Sequence, residues 1–115
     1  MSSPACRAIT TALIFSRTLK YPCEQILIRS KLYETTGVDY FNVVGKTNDV
    51  YSSLMLFGHN FTISEFAASL LGTSFDEMPT CAVLCLEFDI DSWLRIHEKK
   101  AAMKFFIYPK MQRQI

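Results

Sequence analysis

The stretch Leu54-Met55-Leu56-Phe57-Gly58-His59-Asn60 constrains this chain more than any other. An apolar run of strand length ends on a glycine, a histidine and an asparagine, and a helix signal follows at once. Thr62 and Glu65 have the spacing of a capping box. Ile63, Phe66, Ala67, Leu70 and Leu71 recur on one helical face, and Gly72 supplies a C-cap. A buried strand running into a capped helix is the unit of an α/β fold. Ligand sites in open α/β sheets gather at the carboxyl ends of strands, where His59 would project.

The rest of the chain alternates in the same way. Ser3 reads as an N-cap and Pro4 as the first residue of a helix reaching about Lys20, ended by Pro22. Gln25–Arg29 reads as a short buried strand. A second helix is expected after Thr36, with Asp39 as capping-box partner and Val38, Phe41 and Val44 facing a core, stopping near Gly45. Tyr51–Phe57 reads as a strand buried on both faces. Thr80–Phe88 and Lys104–Tyr108 are further strands, and Ser92–Ile96 continues the first of them. This is one α/β domain spanning residues 1–115.

Composition narrows the function. Half the residues are hydrophobic and the formal net charge is +1, without charged blocks. That suits a packed domain with no general attraction to nucleic acid or anionic membrane. No apolar run approaches the ~20 residues of a membrane-spanning helix. No signal peptide is read, so the expected location is the cytoplasm. Cys6, Cys23, Cys81 and Cys85 have irregular spacing and read as reduced, small hydrophobic side chains rather than zinc ligands. Asn60-Phe61-Thr62 matches a glycosylation sequon, which carries little weight without a secretion signal. Glu87, Asp89 and Asp91 read as a solvated turn rather than a metal site, and Trp93 as core or boundary packing.

Two places carry chemistry. Arg7 lies in the first turn of the first helix, where free backbone N–H groups favour an anion and a guanidinium adds bidentate recognition of phosphate. Taken alone, Arg7 reads more simply as a surface arginine. His59 is a hydrogen-bond donor or acid–base group for a phosphoryl oxygen, or else a satisfied loop histidine. Ser3 and Ser53 lack the G-x-S-x-G elbow of a hydrolase nucleophile, and no glycine-rich phosphate loop is present.

The two sites and their surroundings together resemble the SixA-type phosphohistidine phosphatases of the histidine phosphatase superfamily. The family pattern S-S-P-x-x-R-A-x-Q-T-A is met by Ser2-Ser3-Pro4-Ala5-Cys6-Arg7-Ala8-Ile9-Thr10-Thr11-Ala12, with Thr10 for the usual glutamine. Gly58-His59-Asn60 matches G-H-N-P, with Phe61 in place of proline, and Glu65–Gly72 matches E-x-A-x-x-L-x-G. Met78–Phe88 and Trp93 match L-P-T-x-A-V-x-x-L-x-F and its tryptophan, and Pro109-Lys110 matches the closing P-[KR] step.

The resemblance implies a three-layer α/β/α fold and a two-step phosphoryl transfer through a phosphohistidine, with no metal or cofactor. Arg7 and His59 would act on the phosphoryl oxygens, with Asn60 beside them, and the substrate would be a phosphorylated protein or a small phosphate ester. It also implies a departure. The family nucleophile lies in an R-H-G or R-H-A motif on a first, central strand, and neither His59 nor His97 follows an arginine. The chain would be the C-terminal two-thirds of the family domain, short of roughly forty to fifty residues and of that strand. It is therefore expected to be inactive alone and to associate through the uncovered sheet edge. The alternative is a non-catalytic remnant that binds phosphate or another protein.

Overall fold

The computed structural model describes residues 1–33, 36–75 and 77–109. Helix α1 spans Cys6–Thr18, α2 spans Gly37–Gly45 and α3 spans Thr62–Leu71; strand β1 spans Val83–Glu87 and β2 spans Ala102–Ile107. The sequence pattern placed each of these elements within a few residues. Lys110 of the P-[KR] step lies outside the described residues.

Helix α1 starts later than the Ser3–Pro4 signal implies. Ser3 belongs instead to an extended segment, with its N–H bonded to the Phe57 carbonyl at 3.0 Å. Its side chain still accepts the Ala5 N–H at 3.2 Å, so it serves the helix from outside. Ala8, Ala12 and Ser16, four residues apart, form the buried stripe of α1, whereas Leu13 and Leu19 are exposed.

Three extended segments run parallel. The Ser2 N–H bonds to Leu27 and the Arg29 N–H bonds back to Ser2; on the other side Phe57 bonds to Met1 and Ser3 to Phe57. The N-terminal residues therefore lie between Leu27–Arg29 and Met55–Phe57. The strand expected at Gln25–Arg29 is reduced to one bridge at Ile28, preceded by a 3-10 turn, and Leu27 and Ile28 are exposed. Tyr51–Phe57 is not buried on both faces either: Tyr51 and Met55 are exposed, and Leu54, Leu56 and Phe57 half-buried. Strands β1 and β2 form a separate antiparallel pair with an irregularity between Cys85 and Leu86.

The core is formed by Leu32, Tyr40, Val43, Val44, Phe66, Leu70 and Ile96. It joins α2 to α3, with the Tyr40 and Phe41 rings edge-on to Phe66 at 5.5 and 4.8 Å. Val44 lies in the core and Phe41 packs against it, as expected of α2, but Val38 is exposed and Tyr40 is fully buried in its stead. Tyrosine wins this place because its hydroxyl finds partners there, described below.

Ser92–Ile96 is a 3-10 turn at Trp93–Arg95, not a strand. Asp49 holds it through the Ser92 hydroxyl and the Trp93 N–H, both at 2.9 Å, so the backbone pairs with a side chain instead of a neighbouring strand. Trp93 is half-buried and its indole N–H donates to the Tyr51 carbonyl at 2.8 Å, a boundary role. Cys6, Cys23 and Cys81 are exposed and free, so only Cys85, half-buried, fits the expected packing role. Glu87, Asp89 and Asp91 are solvated and paired with Lys104, Lys99 and Arg95. Among the described residues no helix is long and apolar enough to cross a membrane.

Candidate functional site

The parallel segments deliver two chain ends to one place. Met1–Ser3 leads into α1, and Met55–Phe57 leads through Gly58-His59-Asn60 into α3. Both helices begin at the carboxyl ends of these segments, where their free N–H groups accumulate.

His59 is fixed by three neighbours. Its Nε2 lies 2.6 Å from the Ser3 hydroxyl. Its backbone N–H donates to the Tyr40 hydroxyl at 3.2 Å. The Tyr33 ring lies 5.4 Å from the imidazole and is tilted towards it. Ser3 is fully buried and accepts the Ala5 N–H. A hydroxyl that accepts there and donates to Nε2 is satisfied on both counts. In that tautomer the imidazole proton is on Nδ1, facing a ligand; in the other, Nε2–H donates to the serine oxygen.

Tyr40 supports the loop from below. It is fully buried, accepts from His59 and donates to the Leu32 carbonyl at 3.1 Å. Burial raises its phenol above the ordinary value, and the His59 N–H bond works the other way with less effect. Gly58 makes this approach possible: a Cβ there would lie 2.2 Å from the Tyr40 hydroxyl oxygen and 2.9 Å from two ring carbons.

Arg7 lies in the first turn of α1, one turn beyond Ser3, and its side chain is exposed. Asn60 is exposed, but its side chain is taken up by bonds within the protein. Its Nδ2 donates to the Met78 carbonyl at 2.8 Å and approaches Glu77 at 3.4 Å. Its Oδ1 accepts from the Ser64 hydroxyl at 2.7 Å, and that hydroxyl accepts the Met78 N–H at 2.9 Å. His97 is exposed on the far side of the sequence from these groups.

The structure thus joins His59 to the entry of the helix that carries Arg7, and it adds Ser3 and Tyr40, which the pattern did not single out as partners. The duplicated serine of Ser2-Ser3-Pro4 was the available signal for Ser3. No group of histidines, cysteines and acids that could hold a metal occurs among the described residues. The chemistry on offer is hydrogen bonding and positive charge directed at an anion.

An α/β chain with a histidine and a helix N-terminus meeting at the ends of parallel segments is a fold already seen. The chain superimposes on the structure of a SixA protein from Nakamurella multipartitia, described as a candidate phosphohistidine phosphatase, with a TM-score of 0.63 at 16% identity. The match covers 90% of this chain and 80% of that one, a larger share than the two-thirds the sequence resemblance implies. The fold is therefore SixA-like. No family model and no curated protein matches the sequence.

Proposed function

We propose that this chain carries the phosphoryl-binding part of a SixA-like phosphohistidine phosphatase site. The observation behind it is the 2.6 Å contact between Ser3 and His59, which ties the histidine loop to the start of α1 and so to Arg7. Arg7 offers a bidentate fork, His59 offers Nδ1–H, and the helix start adds backbone N–H groups. Asn60 then shapes the loop through Met78 and Ser64.

In this reading the attacking histidine is neither His59 nor His97. It stands in an R-H-G or R-H-A motif on a central strand of the three-layer fold, outside this chain. A histidine nitrogen attacks phosphorus and displaces the substrate's alcohol or protein nitrogen, which leaves protonated. Water then attacks the phosphohistidine, breaking the N–P bond to release phosphate and the free histidine. Arg7 and His59 meanwhile stabilise the charge on the phosphoryl oxygens. The substrate is a phosphorylated protein or a phosphate ester, in a cytoplasm that keeps the exposed cysteines reduced.

Titration with inorganic phosphate and with phosphoramidate, followed by the His59 ring signals, tests the binding. Arg7→Ala should weaken it by about tenfold or more, with Arg7→Lys falling between. Alone, the chain should hydrolyse p-nitrophenyl phosphate no faster than buffer. Activity should appear once a strand bearing R-H-G is fused ahead of Met1. A folded fusion without activity sinks the phosphatase reading.

A further inference from the structure

A cavity of about 370 Å³ lies beside the outer of the three parallel segments, with Ile28–Lys31 on one side and Val43 of α2 and Lys46 on the other. Its charge is one-sided: Arg29, Lys31 and Lys46 line it and no acid does. All three are exposed, and none belongs to an ion pair, whereas Arg95, Lys99 and Lys104 each hold a carboxylate. Like charges gathered without a counter-charge repel one another, and an anion seated among them is attracted by all three. Lys46 follows the last turn of α2 and also offsets the negative end of that helix, which leaves Arg29 and Lys31 as the leading contacts. Met1 lines the cavity too, but its ammonium is taken by the Met55 carbonyl at 2.9 Å.

The cavity and the histidine site share an anchor. Ser30–Leu32 is a 3-10 turn, with Arg29 just before it and Tyr33 just after. Leu32 is fully buried and its carbonyl takes the Tyr40 hydroxyl, while the Tyr33 ring lies 5.4 Å from the His59 imidazole. Tyr33 is four residues on from Arg29, so their Cα atoms are at most about 14 Å apart. A short extended peptide therefore spans both places.

We propose that this cavity docks an acidic segment of the phosphoprotein on which the His59 site acts, so that the substrate is a protein and not a small phosphate ester; this rests on the phosphatase reading above. The segment carries carboxylates for Arg29 and Lys31, with an apolar side chain between them on Ile28 and Val43. It lies about four residues from the phosphorylated one, the span from the cavity to Tyr33 in an extended chain. A free inorganic anion fits less well, since it leaves Ile28 and Val43 without an apolar partner. A nucleic acid needs a longer basic track than three cations around one cavity, in a chain of formal net charge +1.

The probe is the acetylated amide Ser-Gly-Ala-Gly-Glu-Leu-Asp, with and without phosphate on its serine. It is titrated into the full chain while the backbone amide signals of Ser30, Lys31 and Lys46 and the ring signals of His59 are followed. The plain peptide should move the three amides, and its Gln-Leu-Asn counterpart should bind about tenfold or more weakly. Arg29→Ala with Lys31→Ala should cost as much, at unchanged unfolding midpoint because both side chains are exposed. The phosphoserine form should bind about tenfold or more tightly than the plain one and move His59 with the cavity. Amides that stay still, or that move equally with the Gln-Leu-Asn peptide, would overturn the proposal. So would sulfate binding there as well as the peptide does, which marks a small-anion site. Free phosphate moving His59 while the phosphopeptide gains nothing over the plain one would overturn it too, since the two places then share no substrate. Free phosphate leaving His59 unmoved strikes the phosphatase reading instead, and acid-dependent binding at the cavity tells that failure apart.

Discussion

Ser3 and His59 stand 56 positions apart and are joined by a 2.6 Å hydrogen bond between Oγ and Nε2. The serine follows Ser2, which bridges Ile28 and Phe57, and it is fully buried with its N–H on the Phe57 carbonyl, so its hydroxyl has little freedom to turn elsewhere. It acts on the site through His59 and is a positioning residue. Ser3→Ala should cost about 1–2 kcal/mol of stability, because the Ala5 N–H and Nε2 both lose a partner. The more specific readout is the imidazole tautomer. Nitrogen-15 shifts of the His59 ring should show the proton on Nδ1 in the parent and a shift towards Nε2–H in the variant. A ring pattern unchanged by Ser3→Ala would remove this role.

Gly58 faces Tyr40 without room for a side chain. With the Cβ 2.2 Å from the hydroxyl oxygen, either the loop or the tyrosine must move in Gly58→Ala, and the tyrosine is enclosed by the core. Overpacking of this kind costs about 1–3 kcal/mol. Tyr40→Phe removes the closest atom but leaves ring carbons at 2.9 Å. The double variant should therefore be less destabilised than the sum of the singles, which urea unfolding of all four chains would show.

Local chemistry made much of this legible. Helix α3 could be placed from its apolar spacing and from Gly72, which does take the left-handed conformation at φ 69°. The strand-to-loop-to-helix passage at Gly58–Asn60 was readable for the same reason: its signals are adjacent in the chain. What escaped depends on distant partners. Val38 and Tyr40 are both plausible inward residues of a short helix, and the choice rests on Leu32 and His59 supplying partners to a hydroxyl. The turn at Trp93–Arg95 looks like a strand until Asp49 is brought to it. Ser3 looks like an N-cap until Phe57 claims its N–H. Exposed Tyr51 and Met55 were read as buried because an apolar strand implies neighbours on both sides, and here one side opens on a cleft.

Asn60 and Ser64 form one unit with Met78. The amide donates to the Met78 carbonyl, the serine hydroxyl accepts the Met78 N–H, and the two side chains bond to each other at 2.7 Å. Each single change, Asn60→Ala or Ser64→Ala, should cost about 1–2 kcal/mol by leaving the others unpaired. The pair should be non-additive by at least about 0.5 kcal/mol. Thermal unfolding of the four chains supplies the cycle, and strict additivity would mean the contacts act separately.

Tyr40 makes the stability of the fold depend on alkaline pH. Its phenol titrates above the ordinary value of 10.0, first because burial penalises the phenolate. Between the unfolded and folded values the unfolded chain has released this proton and the folded chain has kept it. The unfolded state then binds fewer protons, so stability falls as pH rises. The contribution is fully present below pH 10 and is lost as pH climbs through the folded value. Tyr40→Phe has no such proton. It should begin less stable by about 1–2 kcal/mol at neutral pH, having lost the bonds to Leu32 and His59. Its loss between pH 9 and 11 should then be shallower than that of the parent, the other tyrosines being common to both chains. Urea unfolding at a series of pH values measures both slopes. Parallel slopes would mean that the Tyr40 phenol titrates alike in the folded and unfolded chains.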